Sequence, residues 1–305
     1  MQKRTFLLII GFVFLWNSGF IGAEYGLPYT GPFTLLFWRY LALTLVMWLY
    51  LLIRGRLRWV GWSTAAPNML VGILAHGGWL SCVLLALDLN VPAGIVALVV
   101  ALQPLATGAF SGLVVGEPTP LIRWLGLLVG FAGVAITVIF RMNFNDPASV
   151  FGYLIPLGSV VAITIASLIQ RRMEVKEGTK RLPVDLSILY QGGATAAVLV
   201  LPAFFGEGFA AQWETPFIYT MAWLILAVSL GGYGLMWLLI QRMEATRVAS
   251  LFYLGPPVTM LMAWIAFGDT LRGTDIVGLL VVFMGVLLTQ LKWKPRLKRF
   301  VVKNG

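Results

Sequence analysis

Ten stretches of this chain run for about 20 residues, the length of a helix that crosses a bilayer, with no Asp or Glu in their central turns. They cover roughly 5–22, 32–53, 66–87, 92–114, 121–140, 151–170, 186–205, 216–240, 247–267 and 275–291. The chain is 59% hydrophobic and 11% charged, whereas soluble domains carry about a quarter charged residues. A water-soluble fold could not hide that much apolar surface, so lipid is the solvent. In hydrocarbon each span must satisfy its own backbone, which makes helices the expectation. The fold class expected is therefore an all-α polytopic membrane protein of ten transmembrane helices. No soluble domain is left over, because the longest polar connection is QRRMEVKEGTKRLPVD between the sixth and seventh runs. The opening MQKRTFLLIIGFVFLW has the charged-then-apolar order of a signal peptide and is read here as the first spanning helix.

The chain has 22 Lys and Arg against 12 Asp and Glu. Nineteen of the bases lie at the N-terminus, in alternate loops or in the C-terminal tail; the opposite loops hold only Arg141 and Arg272, and Arg39 lies inside the second run. By the positive-inside rule this asymmetry places both termini in the cytoplasm. It accounts for the net charge of +10 without a nucleic-acid partner. The single cysteine, Cys82, and single histidine, His76, allow no cysteine or histidine metal cluster, and no metal or cofactor is expected.

The stretch GLLVGFAGVAIT, from Gly126 to Thr137, returns as GLLVVFMGVLLT, from Gly278 to Thr289, with eight of twelve positions identical at an offset of 152. The same offset carries Pro104 to Pro256 and Gly116-Glu117 to Gly268-Asp269. The halves are read as 1–145 and 146–305, five helices each. Five is odd, so the second copy enters the membrane upside down. Inverted repeats of this kind characterise alternating-access transporters, with the binding site near the midplane between them.

These residues resemble the drug/metabolite transporter superfamily, EamA type. The resemblance rests on FLWNSGF in the first run, PFTLLFWRYLAL in the second, QPLATGAFSGLVVGE in the fourth, its copy GPPVTMLMAWIAFGD in the ninth, and the two Gly-rich helices. Within the family, HGGWL in the third run is most similar to the YddG-type aromatic and neutral amino acid exporters. The resemblance implies that helices 3, 4, 8 and 9 line a central cavity, that 1, 2, 6 and 7 surround it, and that 5 and 10 are peripheral.

The candidate site follows from the polar and aromatic residues inside the spans. His76 is in the middle of the third run with Trp79 at i+3, and Gly77 and Gly78 beside it permit bending or close packing. Polar groups at that depth face a bundle interior or a cavity. Pro104 and the Pro256-Pro257 pair remove backbone donors in mid-span, which marks broken helices or hinges. Around them lie Gln103 (with Thr107 and Ser111 on one stripe), Ser250 and Tyr253, Tyr233 and Trp237, Asn17 and Tyr190. His76, Trp79, Gln103, Tyr233, Trp237, Ser250, Tyr253, Asn17 and Tyr190 form the candidate substrate-binding set. Arg39, about 10 Å into its helix, is assigned a structural charge role. Gly126, Gly130, Gly133, Gly278 and Gly285 are assigned to helix packing.

No catalytic residues are proposed, since carboxylates, which acid–base chemistry needs, are missing from the span centres. The expected function is secondary transport, with export of small metabolites such as amino acids by alternating access. An aromatic cavity suits an ammonium through its ring faces, while hydroxyls, Gln103 and His76 can donate to a carboxylate. A nucleotide-sugar or sugar-phosphate carrier is the alternative, and an integral membrane lipid-modifying enzyme a more distant one. The partners expected are a small-molecule substrate and the bilayer. If transport used protons, only His76 would titrate in range, and a facilitator is the simpler expectation.

Overall fold

The computed structural model describes residues 3–89, 91, 96, 99–140, 150–176, 182–268 and 272–291. The boundary between the halves near 145, Arg141, Lys180, Arg181, Asp269 and the basic tail from Lys292 onward lie outside the described residues.

The helices are α1 (Lys3–Gly26), α2 (Pro32–Ile53), α3 (Trp62–Gly72, continued through Ile73–Gly78 and Trp79–Asp88), α4 (described over Gln103–Val114) and α5 (Leu121–Ile139). The second set is α6 (Val150–Val175), α7 (Val184–Glu207), α8 (Thr215–Ala222, Trp223–Gly232 and Tyr233–Arg242), α9 (Ala245–Ala249, Ser250–Leu254 and Gly255–Phe267) and α10 (Gly273–Gln290). Among the described residues eight spans are long and apolar enough to cross a membrane, and α5 adds a shorter apolar helix over Leu121–Ile136. Among the described residues the one β contact is an isolated bridge between Thr30 and Ala211.

Apolar side chains pack the interior and also cover the outer surface. Leu113 and Leu121 are 84% exposed, while Asn17, His76, Gln103 and Gln191 are buried. That is the arrangement lipid favours, with apolar side chains outward and polar groups kept inside the bundle.

The repeated sequences become repeated structure. In α5 and α10 the glycines face each other. A Cβ on Gly126 would lie 2.8 Å from the Gly285 carbonyl oxygen, and one on Gly133 would lie 2.6 Å from the Val282 nitrogen. The two backbones touch, as small-residue stripes allow.

Pro104 and Pro256 each stand in the first turn of a new helical segment. Before Pro104 the chain turns at Ala101 and Leu102; before Pro256 it passes through the tighter 3₁₀ turn Ser250–Leu254. A first-turn proline loses no hydrogen bond, because that N–H has no partner within the helix. The same segments end at Gly116 (φ 81°) and Gly268 (φ 74°), left-handed positions that favour glycine.

A second pair of irregularities matches across the repeats. α3 widens into π-helical turns over Ile73–Gly78, and α8 does so over Trp223–Gly232. Both widenings close on a Gly-Gly-aromatic sequence, Gly77-Gly78-Trp79 and Gly231-Gly232-Tyr233. Glycine permits the distorted turns, and single π turns recur at functional sites.

The end of the bundle that carries the N-terminus and most of the bases is cross-linked by charge. Arg171 of α6 donates from Nε to Glu117 Oε1 at 2.8 Å, and Arg123 pairs with Glu244 at 2.6 Å. Arg171 also donates to the Ile240 carbonyl at 2.9 Å, and Arg247 reaches Gln290 Oε1 at 3.1 Å. These bonds join the α4–α5 loop to α6, α6 to α8, α5 to the α8–α9 turn, and α9 to α10. At the opposite end, the Glu207 carboxylate accepts from the backbone N–H groups of Phe33 (3.0 Å) and Thr34 (2.6 Å), capping the α2 N-terminus.

Candidate functional site

A partly enclosed cavity lies in the half of the bundle away from the basic end. Trp16, Phe20 and Ala23 of α1, Leu35 and Arg39 of α2, Trp79, Leu80, Val83 and Leu84 of α3, and Val228 and Tyr233 of α8 line it. Its mouth included, it holds about 440 Å³ of atom-free space, but the centre of a water-sized molecule reaches only about 30 Å³ of this. In this conformation there is room for a few waters, and a larger occupant requires the ring side chains to swing apart.

Trp16 organises the walls. Its ring centroid lies 4.7 Å from Tyr233, 5.2 Å from Trp79 and 5.0 Å from Phe252, all tilted or edge-on. Such geometries suit aromatic quadrupoles. Trp79 and Tyr233, which close the two matched π segments, therefore face one cavity from opposite repeats.

Behind Tyr233 sits a buried polar brace. Gln191 Oε1 accepts from Trp237 Nε1 at 2.8 Å and lies 3.0 Å from His76 Nε2. An indole N–H only donates, so the shared atom must be the amide oxygen, and His76 carries its proton on Nε2. The brace ties α3 to α7 and α8. Tyr233 Oη donates to the Ala75 carbonyl at 3.0 Å, and the His76 and Tyr233 rings are 3.9 Å apart. His76 Nδ1 and Gln191 Nε2 are buried without a described partner. Buried polar atoms left unpaired are costly, so this cluster is polarised toward anything that can reach it.

The remaining candidates lie elsewhere. Asn17 donates from Nδ2 to the Val13 carbonyl at 2.6 Å and accepts from Thr259 at 3.2 Å, joining α1 to α9. Gln103 donates to Thr107 at 3.3 Å on its own buried stripe. Ser250 accepts from Thr289 at 2.7 Å, joining α9 to α10. Tyr190 donates to the Arg58 carbonyl at 2.9 Å near the basic end. Tyr253 is buried over α5, where a Cβ on Gly130 would fall 2.5 Å from its ring.

The described lining thus comes from α1, α2, α3 and α8 rather than from α3, α4, α8 and α9. The slot left by Gly130 draws Tyr253 toward α5, and Trp16 and Arg39 fill the cavity wall instead. Trp16, Gln191 and Ser229 are the residues that sequence reasoning passes over. Trp16 and Phe20, four residues apart, do form an aromatic stripe on α1. The Gly-Gly-aromatic repeat at an offset of 154 is a further readable signal.

Two five-helix halves, matched bends and a cavity walled by both halves define a membrane protein of the two-repeat helical transporter class. The chain belongs to the EamA-like transporter family, whose pattern matches residues 3–139 and 150–291. It is similar to the transporter YvbV of Bacillus subtilis, at 29% identity over 97% of this chain and 94% of that protein. It is also similar to a probable amino-acid metabolite efflux pump of Escherichia coli, at 20% identity over 98% of this chain and 99% of that one. A crystal structure with a TM-score of 0.77 and 22% identity, covering 95% of this chain and 98% of its own, shares the fold.

Proposed function

We propose that this chain is a secondary carrier, not an enzyme, that exports small metabolites, amino acids among them, by alternating access. It would sit in the plasma or inner membrane with both termini cytoplasmic, as the loop charges argue. The observation that carries the reading is the pairing of Trp79 and Tyr233, each at the end of a repeat-matched π segment, on one cavity between the repeats. Cross-linking at the basic end and the cavity's place in the other half support an externally facing state. The name of the Escherichia coli relative supports amino acid efflux, and the aromatic lining suits the YddG-type preference. Transport runs down the substrate's own gradient, since His76 is tied into the brace with Gln191.

Uptake into proteoliposomes from a panel of labelled neutral amino acids and nucleotide sugars tests this. Saturable uptake of at least one amino acid is expected. Trp79→Ala should lower it about tenfold, the worth of one aromatic contact, while monodisperse yield stays within about twofold. Uptake of nucleotide sugars alone, or of nothing, would refute the reading.

A further inference from the structure

Arg39 is 3% exposed, about two turns into α2, and lines the cavity. Its Nε donates to Ser229 Oγ at 2.7 Å, and its guanidinium carbon lies 5.4 Å from the Tyr40 ring centroid. Among the described residues no carboxylate lies within ion-pair distance of it, although Arg56, Arg123 and Arg171 all have one. A desolvated cation in a membrane span is costly, and a hydroxyl and a ring face recover only part of that cost. A guanidinium has five donors, and the bond to Ser229 uses one of them. Its planar fork matches the two oxygens of a carboxylate.

The rest of the described lining is Trp16, Phe20, Trp79, Leu80, Val83, Tyr233 and their apolar neighbours, with no acid among them. Tyr233 Oη is already bound to the Ala75 carbonyl, so the described lining offers an ammonium little beyond the faces of the rings. We infer that Arg39 is the site's anion receptor: the carrier recognises small apolar monocarboxylates by bidentate pairing with Arg39, and an α-amino group is tolerated rather than required. Ser229, presented by the widened turn of α8, is a positioning residue that aims the fork. The inference rests on the transport function proposed above. It adds a ligand-binding role to the structural one that the sequence suggests for Arg39.

Calorimetric titration of the purified full chain with four probes sharing one branched apolar body is the test. L-leucine and 4-methylpentanoate, which lacks the amino group, should bind with similar Kd. L-leucinamide and isoamylamine, which lack the carboxylate, should bind about 10- to 100-fold more weakly, the span expected for one charge-assisted bond. Arg39→Lys keeps a cation in the span but loses the fork, and should weaken leucine while leaving isoamylamine unchanged. Ser229→Ala, which keeps the arginine, should weaken leucine in the same sense if Arg39→Lys does not fold. Leucinamide or isoamylamine binding as tightly as leucine would overturn the inference, as would unchanged leucine affinity in a folded Arg39→Lys protein. If none of the probes binds while the liposome panel shows amino acid uptake, the anion receptor fails and the carrier stands. If uptake fails too, both fall.

Discussion

Gly285→Leu is expected to abolish recovery of folded, monodisperse protein. At this position α5 and α10 meet backbone to backbone, and a Cβ on Gly285 would overlap the Gly130 main chain. A flexible side-chain tip can move aside, but a helix backbone cannot. A leucine must therefore separate two helices along their whole shared stripe. Overpacking in a yielding core costs about 1–3 kcal/mol. Here the obstacle does not yield, so the cost lies at or above that range. In lipid, where close packing itself drives helix association, little else compensates. Gly206→Leu is the control, because a Cβ there meets nothing within 4 Å. Its size-exclusion profile should match wild type. A wild-type profile for Gly285→Leu would show that the two repeats do not depend on this contact.

Glu117→Gln should open the basic end. Glu117 and Arg171 are buried enough, at 19% and 13% side-chain exposure, for the pair to be poorly screened. Removing the carboxylate strands the guanidinium, at a cost of about 3 kcal/mol. The same glutamate reaches the Ala245 N–H at 3.4 Å, so the first turn of α9 loosens with it. If the closure exists only while the basic end is shut, the equilibrium moves about 100-fold toward the alternative state. A Thr107→Cys reporter in a Cys82→Ala background reads this out, since Thr107 is buried on α4 beneath the closure. An impermeant maleimide applied from the basic face should label it about 100-fold faster in Glu117→Gln. Adding Arg171→Met, which removes the stranded charge, should return the rate toward wild type. Equal labelling with and without the glutamate would show that this ion pair is not part of a closure.

Much of the architecture can be read from the chain because membrane helices announce themselves locally. Span length, apolar composition, glycine stripes and the matched prolines are one-dimensional features, and each reappears as a helix, a helix contact or a break. The cavity is harder to read. Trp79 and Tyr233 can be found because each follows a Gly-Gly pair, whereas Gln191 looks like any polar residue in a span. It acquires its role only where α3, α7 and α8 converge and His76 and Trp237 donate to one oxygen. Tyr253 shows the opposite case. Its spacing from Ser250 and Pro257 points toward a site, yet a missing side chain on another helix, at Gly130, decides where the ring goes. Arg39 is visible in the sequence as a charge at depth, but whether it has an acidic partner is a fact of tertiary structure.

In the proposed carrier one cavity serves both faces of the membrane in turn. Counterflow in proteoliposomes tests it most directly, with no pH gradient imposed, unlabelled L-leucine inside and a trace of labelled L-leucine outside. A carrier whose single site alternates, and which needs no proton, should take the label transiently above its equilibrium level, because unlabelled substrate leaving returns the site outward for the label to enter. Trp79→Ala should reduce that overshoot about tenfold. Label that rises only to equilibrium, at the same rate with or without internal leucine, would rule out a single alternating site.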